Sequence, residues 1–397
     1  MNRVYHRREM NTSEKPIPTL LLAILTVTAA FTAANIYIAQ PLLHEIGWSF
    51  VKEPSQTGLI LTLTQLGYVL GLILLGPLGD VWERRKLLLG MLVADSLVTL
   101  ACGLTQDFQG FLVLSLLMGM LSVQAQVVFP YVAGQGLPQN RTRNLGIVIS
   151  SCLVGVLLSR TFSGLIGQHL GWRTVYLAMA LGLAGLAWVV YRWMPRSEPG
   201  ESLSYGRLLK SLFTLAVERK PVRSIALSGA LIYASLNAFW ATLAFHLQGP
   251  RFELGAGVVG AFGLIGLGGA LASNLTGRFL HRIQVKPFLL TMVFLMFGSF
   301  FLMLVAGSSL TVLVLAVVLL DLGAQGACVS NQSEIYRLYQ DSHSRLNSIY
   351  KIIYFLGAAL GSYLSTWGWT QAGWPGVCLV GMALLSLAAL NIRSSAS

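Results

Sequence analysis

The chain has 397 residues, 55% of them hydrophobic and only 11% charged, with 41 glycines and a formal net charge of +12. A water-soluble domain needs a solvated surface that so few charged groups cannot supply. That excludes a soluble enzyme and, despite the basic balance, a soluble nucleic-acid binder; the solvent that fits is lipid.

Twelve apolar runs recur along the chain, each about long enough to cross a hydrocarbon core of roughly 30 Å. The first, 19–39, follows a basic tail and is too long for a cleaved signal, so it is expected to stay as a membrane helix. It carries Asn35, Tyr37 and Gln40 just before Pro41. The second, 57–77, carries Gln65 and runs into a hydrophilic turn from Gly76 to Arg85. There Asp80 and Arg84 stand at i, i+4, where opposite charges pair if the turn is helical, and Gly76 permits close helix approach. The third run, 87–105, holds Asp95. In the fourth, 110–133, Ser115, Gly119, Ser122 and Gln126 share one helical face, whereas Gln124 lies about 200° away from Gln126 and is expected to point elsewhere. The fifth, 145–168, holds Arg160 between Gly155 and Gly164, and the sixth is 172–194.

Pro195, Pro199, Gly200, Gly206 and Pro221 interrupt the apolar pattern, so residues 195–221 read as a linker between halves 1–194 and 222–397. In the second half, 222–246 offers Tyr233, Asn237 and Trp240 at i, i+4 and i+7, a stripe that suits packing or a cavity for organic molecules. The run 256–277 is entered through Gly-Ala-Gly-Val-Val-Gly, but no strand precedes this stretch and no acid follows at the spacing a dinucleotide site needs. After 288–306, the run 309–330 opens a polar stripe of Asp321, Gln325, Cys328 and Gln332. Runs 348–369 and 372–392 close the chain. Sliding the sequence by 202 residues lays Asn35, Gly155, Leu158, Ser163, Gly171 and Trp172 on Asn237, Gly357, Leu360, Ser365, Gly373 and Trp374, as duplication of a six-span unit predicts.

Of the 27 Lys and Arg, 23 fall on the side of the membrane that holds the termini; Lys52, Arg173 and Arg251 fall on the other and Arg160 within a span. The positive-inside rule then puts both termini in the cytoplasm of a bacterial-type inner (plasma) membrane. Cys102, Cys152, Cys328 and Cys378 all lie in spans and read as small packing residues. No histidine pair has metal-ligand spacing and no phosphate-binding G-x-x-x-x-G-K-[ST] occurs, so neither a metal nor a nucleotide cofactor is expected. Without paired carboxylates or a nucleophile and base, the chain does not read as an enzyme.

An ionisable group at mid-membrane costs several kcal/mol unless paired or hydrated, so Asp95, Arg160 and Asp321 are functional candidates. Asp321 heads the stripe of its helix and is the first choice for gaining and losing a proton, with Asp95 next. Arg160 requires an acid such as Asp95, backbone carbonyls or an anionic ligand, and the sequence leaves these open.

The turn, with Gly76, Asp80, Arg84 and Arg85, resembles the loop between the second and third spans of the major facilitator superfamily, although Glu83 stands where that family usually has Gly. The Arg160 segment is similar to the glycine-rich fifth span of proton-linked drug efflux carriers, with Arg160 in place of their Pro. The resemblance implies an all-α fold of two six-helix bundles in which spans 1, 4, 7 and 10 surround a cavity. It implies a carrier that moves a small organic molecule by alternating access, with the turn acting on conformational balance and protons as the coupling ion. Substrate contacts are then expected from Asn35, Tyr37, Gln40, Gln126, Arg160, Tyr233, Asn237, Trp240 and Gln325, within a monomer. Proton-coupled efflux leads. Import or exchange of small organic anions through Arg160 is the alternative, and a membrane sensor ranks below both.

Overall fold

The computed structural model describes residues 17–135, 138–196, 205–206, 214, 220–266, 284–338 and 343–394. Among them every regular element is helical. The first span is not one helix: α1 (Thr19–Asn35) breaks at residues 36–39, passes through the 3₁₀ turn Gln40–Leu42 and resumes as α2 (Leu43–Phe50). Pro41 lies in that turn and lacks the N–H an α-helical ladder would need. The second span is α3 (Pro54–Leu74), started by a capping box between Glu53 and Gln56 and continued by the 3₁₀ helix Gly76–Asp80. The third is α4 (Arg84–Leu104). The fourth is broken again, into α5 (Phe108–Leu121) and α6 (Ala125–Gly134), with a turn at Ser122–Gln124.

The fifth and sixth spans are α7 (Pro138–Leu170) and α8 (Trp172–Trp193), and the seventh is α9 (Lys220–Gln248). The eighth begins as α10 (Ala256–Gly266); its continuation, with the basic stretch 276–282, lies outside the described residues, as does most of the linker 195–221. The ninth and tenth are α11 (Val285–Ala306) and α12 (Leu310–Leu338). The last two form one long element, α13 (His343–Ser394), kinked at Gly373 with φ 62° and ψ −145°. Ten helical stretches are long and apolar enough to cross a membrane, α13 supplies two spans, and α10 begins one more. The architecture is the expected twelve-span, all-helical one.

Two local signatures carry the duplication. Gly171 and Gly373, which are 202 residues apart, both adopt positive φ at the junction between a half's last two spans, where a side chain would be strained. Each precedes a tryptophan: Trp172 Nε1 donates to Ser49 Oγ at 3.1 Å and Trp374 Nε1 to the Met303 carbonyl at 3.2 Å. Gly155 and Gly357 lie against the carbonyls of Ala30 and Ala230, so close that a Cβ would overlap them. Thus α7 presses on α1 as the first arm of α13 presses on α9.

Gly76, in contrast, does not permit the close approach expected of it: a Cβ there would meet nothing within 4 Å. The close α3–α5 contact sits higher, where Gly67, Gly71 and Gly119 abut the carbonyls of Leu116, Met120 and Thr64. Contacts between the halves gather from mid-depth toward the end of the bundle away from the termini. Gln248 Nε2 donates to the Pro41 carbonyl, the Gly257 N–H to Gln168 Oε1, and Thr161 Oγ1 to the Gly260 carbonyl. Gly58 abuts Thr366, and Gly260 abuts the Arg160 carbonyl.

Candidate functional site

Arg160 is brought to the interface of the halves by α7, and its surroundings come from both. Its Nε donates to Gln40 Oε1 at 2.7 Å, in the broken part of the first span. Its guanidinium lies 3.8 Å over the Trp240 ring of α9 and 5.4 Å from the Tyr37 ring. A desolvated contact with Trp contributes about 2 kcal/mol or more, which offsets part of the cost of burying the charge. Asp321 of α12 is the nearby acid. The two are buried together, yet they make no ion pair among the described residues. Asp321 lies beside the Trp240 indole, Gln40 Nε2 has no hydrogen-bond partner among the described residues, and a Cβ on Gly266 would stand 2.8 Å from Asp321 Oδ2. Groups of opposite charge are thus neighbours with no ion pair between them among the described residues.

Asp95 belongs to a different cluster, so among the partners the sequence leaves open for Arg160 it is not the one. Asn35 Nδ2 donates to Asp95 Oδ1 at 3.1 Å, and Gln124 Nε2 and Ser122 Oγ donate to Oδ2 at 2.9 and 3.4 Å. Thr99 Oγ1 completes the set at 3.5 Å. Asn35 ends α1 and Ser122 and Gln124 form the turn between α5 and α6, so the carboxylate ties together the breaks in two spans. Asn35 is thereby buried inside the first half and faces away from the interface. The regular face drawn through Ser115, Gly119, Ser122 and Gln126 is also corrected. The break at Ser122 rotates the chain, so Gly119 meets α3, Ser122 meets Asp95, and half-buried Gln126 lies beside Tyr68.

On the interface, Tyr37 and Tyr233 share a hydrogen bond of 2.7 Å between their hydroxyls. Tyr233 stacks on Tyr354 with centroids 3.9 Å apart and planes at 14°. Asn237 Oδ1 accepts from Gln65 Nε2 at 2.8 Å, and Ser362 Oγ donates to Gln65 Oε1 at 3.1 Å, which engages Asn237 in holding the halves together. Gln325 is half-buried one turn from Asp321. The turn after α3 is helical enough for Asp80 and Arg84 to approach to 3.9 Å, and Arg84 also donates to the carbonyls of Gly79 and Pro130. Arg85 donates to the Tyr191 carbonyl of α8. A groove of about 450 Å³ lined by Leu89, Val93, Trp188 and Tyr191 lies between α4 and α8, and neither Arg160 nor Asp321 lines it.

By sequence Lys351 counts among the loop charges before the eleventh span. The structure places it within the first arm of α13, half-buried, with Nζ 5.2 Å from the Phe129 ring of the other half. Its place in the chain, next to an apolar run whose start is ill-marked, conceals it; Tyr350 and Tyr354 at its sides are the available signal.

A family model described as Major Facilitator Superfamily matches residues 20–336. An uncharacterized transporter of Escherichia coli O157:H7, YgaY, is 35% identical over 369 residues, covering 92% of this chain and 94% of that protein. A probable sugar efflux transporter of Pasteurella multocida is 25% identical over 331 residues, covering 83% and 80%. Among solved structures, a mutant of the nucleoside transporter NupG superposes with a TM-score of 0.73 at 13% identity, covering 93% of this chain and 99% of that one.

Proposed function

The chain belongs to the major facilitator superfamily, and from that premise we propose that it couples proton movement to transport of a small organic anion, the halves rocking about Arg160 and Asp321. It is a membrane transporter and not an enzyme. The observation that carries the proposal is the buried Arg160, whose side chain bonds Gln40 and makes no ion pair among the described residues although Asp321 is its neighbour. An ionised Asp321 competes with an incoming anion for the guanidinium; a protonated Asp321 leaves Arg160 to the anion. Proton and anion therefore bind together, and that is symport. Where the exterior is the more acidic side, symport is uptake.

Proton-coupled efflux of a neutral or cationic solute is the second reading, favoured by the similarity to a protein named as a probable sugar efflux transporter. An antiporter needs proton and substrate to compete, which Asp321 provides for a cation. The support for cytoplasmic termini in an inner membrane is the charge split. The test uses purified protein in liposomes with an imposed pH gradient and a panel of labelled carboxylates, neutral sugars and amines. Uptake of a carboxylate driven by external acid is expected. Extrusion of a sugar or amine by the same gradient, with every carboxylate inert, would sink the anion reading.

A further inference from the structure

Lys351 has no acidic partner among the described residues, and its ammonium lies over the Phe129 ring. It faces Cys152 of α7 and Cys328 of α12. Gln332 Nε2 donates to Cys328 Sγ at 3.5 Å. The buried Tyr350 hydroxyl lies beside Asn331 and Cys328, which occupy it. An ammonium inside a span with no acid paired to it calls for a negative partner. The walls are aromatic: Phe129 under Lys351, and Tyr354 stacked on Tyr233.

Depth follows from helix rise. On α9, Trp240 is seven residues beyond Tyr233, about 10 Å further from the termini side, and on α13 Lys351 is three residues before Tyr354, about 5 Å nearer to it. The stacked Tyr233 and Tyr354, with Tyr37 bonded to Tyr233, thus form a bridge between two cations, buried Arg160 beyond it and half-buried Lys351 before it.

We propose that Lys351, with the aromatic faces of Phe129 and Tyr354, is a second anion-binding subsite, which receives an organic anion with an aromatic body on the termini side of the tyrosine bridge. The inference rests on the anion reading above and names its substrate class. An inorganic anion would use the ammonium and leave the ring faces idle, whereas an aromatic carboxylate uses both.

The experiment is calorimetric titration of the purified full-length protein with benzoate, and with cyclohexanecarboxylate, benzyl alcohol and inorganic phosphate as comparisons. Benzoate is expected to bind the wild type, Lys351→Gln to weaken it about tenfold or more, and Lys351→Arg to keep it within about threefold, since Arg preserves the charge. Phe129→Leu is expected to weaken benzoate and leave cyclohexanecarboxylate unchanged, a readout independent of how Lys351→Gln folds; thermal unfolding of each variant checks folding. Arg160→Gln in the same titration separates the two ideas. Loss in Arg160→Gln with full affinity in Lys351→Gln overturns the subsite and leaves the anion reading standing. Benzoate that binds neither better than benzyl alcohol nor at all overturns the aromatic-anion class, and phosphate that competes equally overturns the role of the rings.

Discussion

A guanidinium held by one amide oxygen and one indole face is poised for a ligand, and the consequences are concrete for each charged residue. Asp321→Asn keeps the volume and hydrogen-bonding capacity of the acid but cannot gain or lose a proton. It is expected to abolish pH-driven accumulation while sparing downhill exchange, measured in the same liposomes; undiminished accumulation would move coupling elsewhere, with Asp95 next. Arg160 and Asp95 belong to separate clusters, so Arg160→Gln and Asp95→Asn should add in a double variant instead of compensating. Unfolding of the single and double variants checks this, and recovery of stability in the double would mean the two charges interact after all. Sequence marked these three ionisable residues because a charge deep inside an apolar run is conspicuous, whereas Lys351, at the start of its run, was counted with the loop. It did not show their partners, since periodicity names a helical face and not the neighbour across it.

The breaks within elements explain most of what periodicity missed. Drawing one regular helix through Ser115 and Gln126 put Ser122 on the interface, but the turn at Ser122–Gln124 gives it to Asp95. Pro41 and Pro130 were visible in the sequence, yet the fourth span breaks before Pro130, at a position whose only mark is a run of small and amide side chains. The turn after α3 was the most legible element, and its geometry sharpens what it does. The pair Asp80–Arg84 is 3.9 Å apart with Asp80 60% exposed, so it contributes under about 1 kcal/mol to stability. Arg84 is meanwhile bound to carbonyls of its own turn and of α6. Asp80→Asn is therefore expected to leave expression and unfolding near the wild type and to cut the transport rate strongly, by freeing Arg84 to change partners between conformations. A normal rate in that variant would show the turn to be idle. At Gly171 and Gly373 a substitution by Ala meets positive φ and should cost about 1–2 kcal/mol at each, read as a lowered unfolding temperature.

At the scale of the whole molecule, the duplicated halves were legible because a positive-φ glycine before a buried tryptophan leaves a residue signature in each copy. The contacts between halves were not, since Thr161 with Gly260 or Gln65 with Asn237 carry no periodic mark. Those contacts define the state that the structure captures: the bundle is joined at the end away from the termini, and alternating access requires that joint to open. Gly260 is a point where it is tight against backbone, with the Arg160 carbonyl and Gly164 filling the space a side chain would take. Gly260→Leu should hold α7 and α10 apart, shifting the equilibrium toward the conformation open at that end, because a bulky group there is compatible only with the open joint. The variant is expected to keep benzoate binding in detergent and to lose transport, since return to the closed state is blocked. A cysteine placed at Ser163, in a background where the four native cysteines are replaced, reports the change: it is buried now and should react faster with an impermeant thiol reagent in the Gly260→Leu protein. Unchanged labelling together with normal transport would show that this contact is static packing and that the halves separate along another seam.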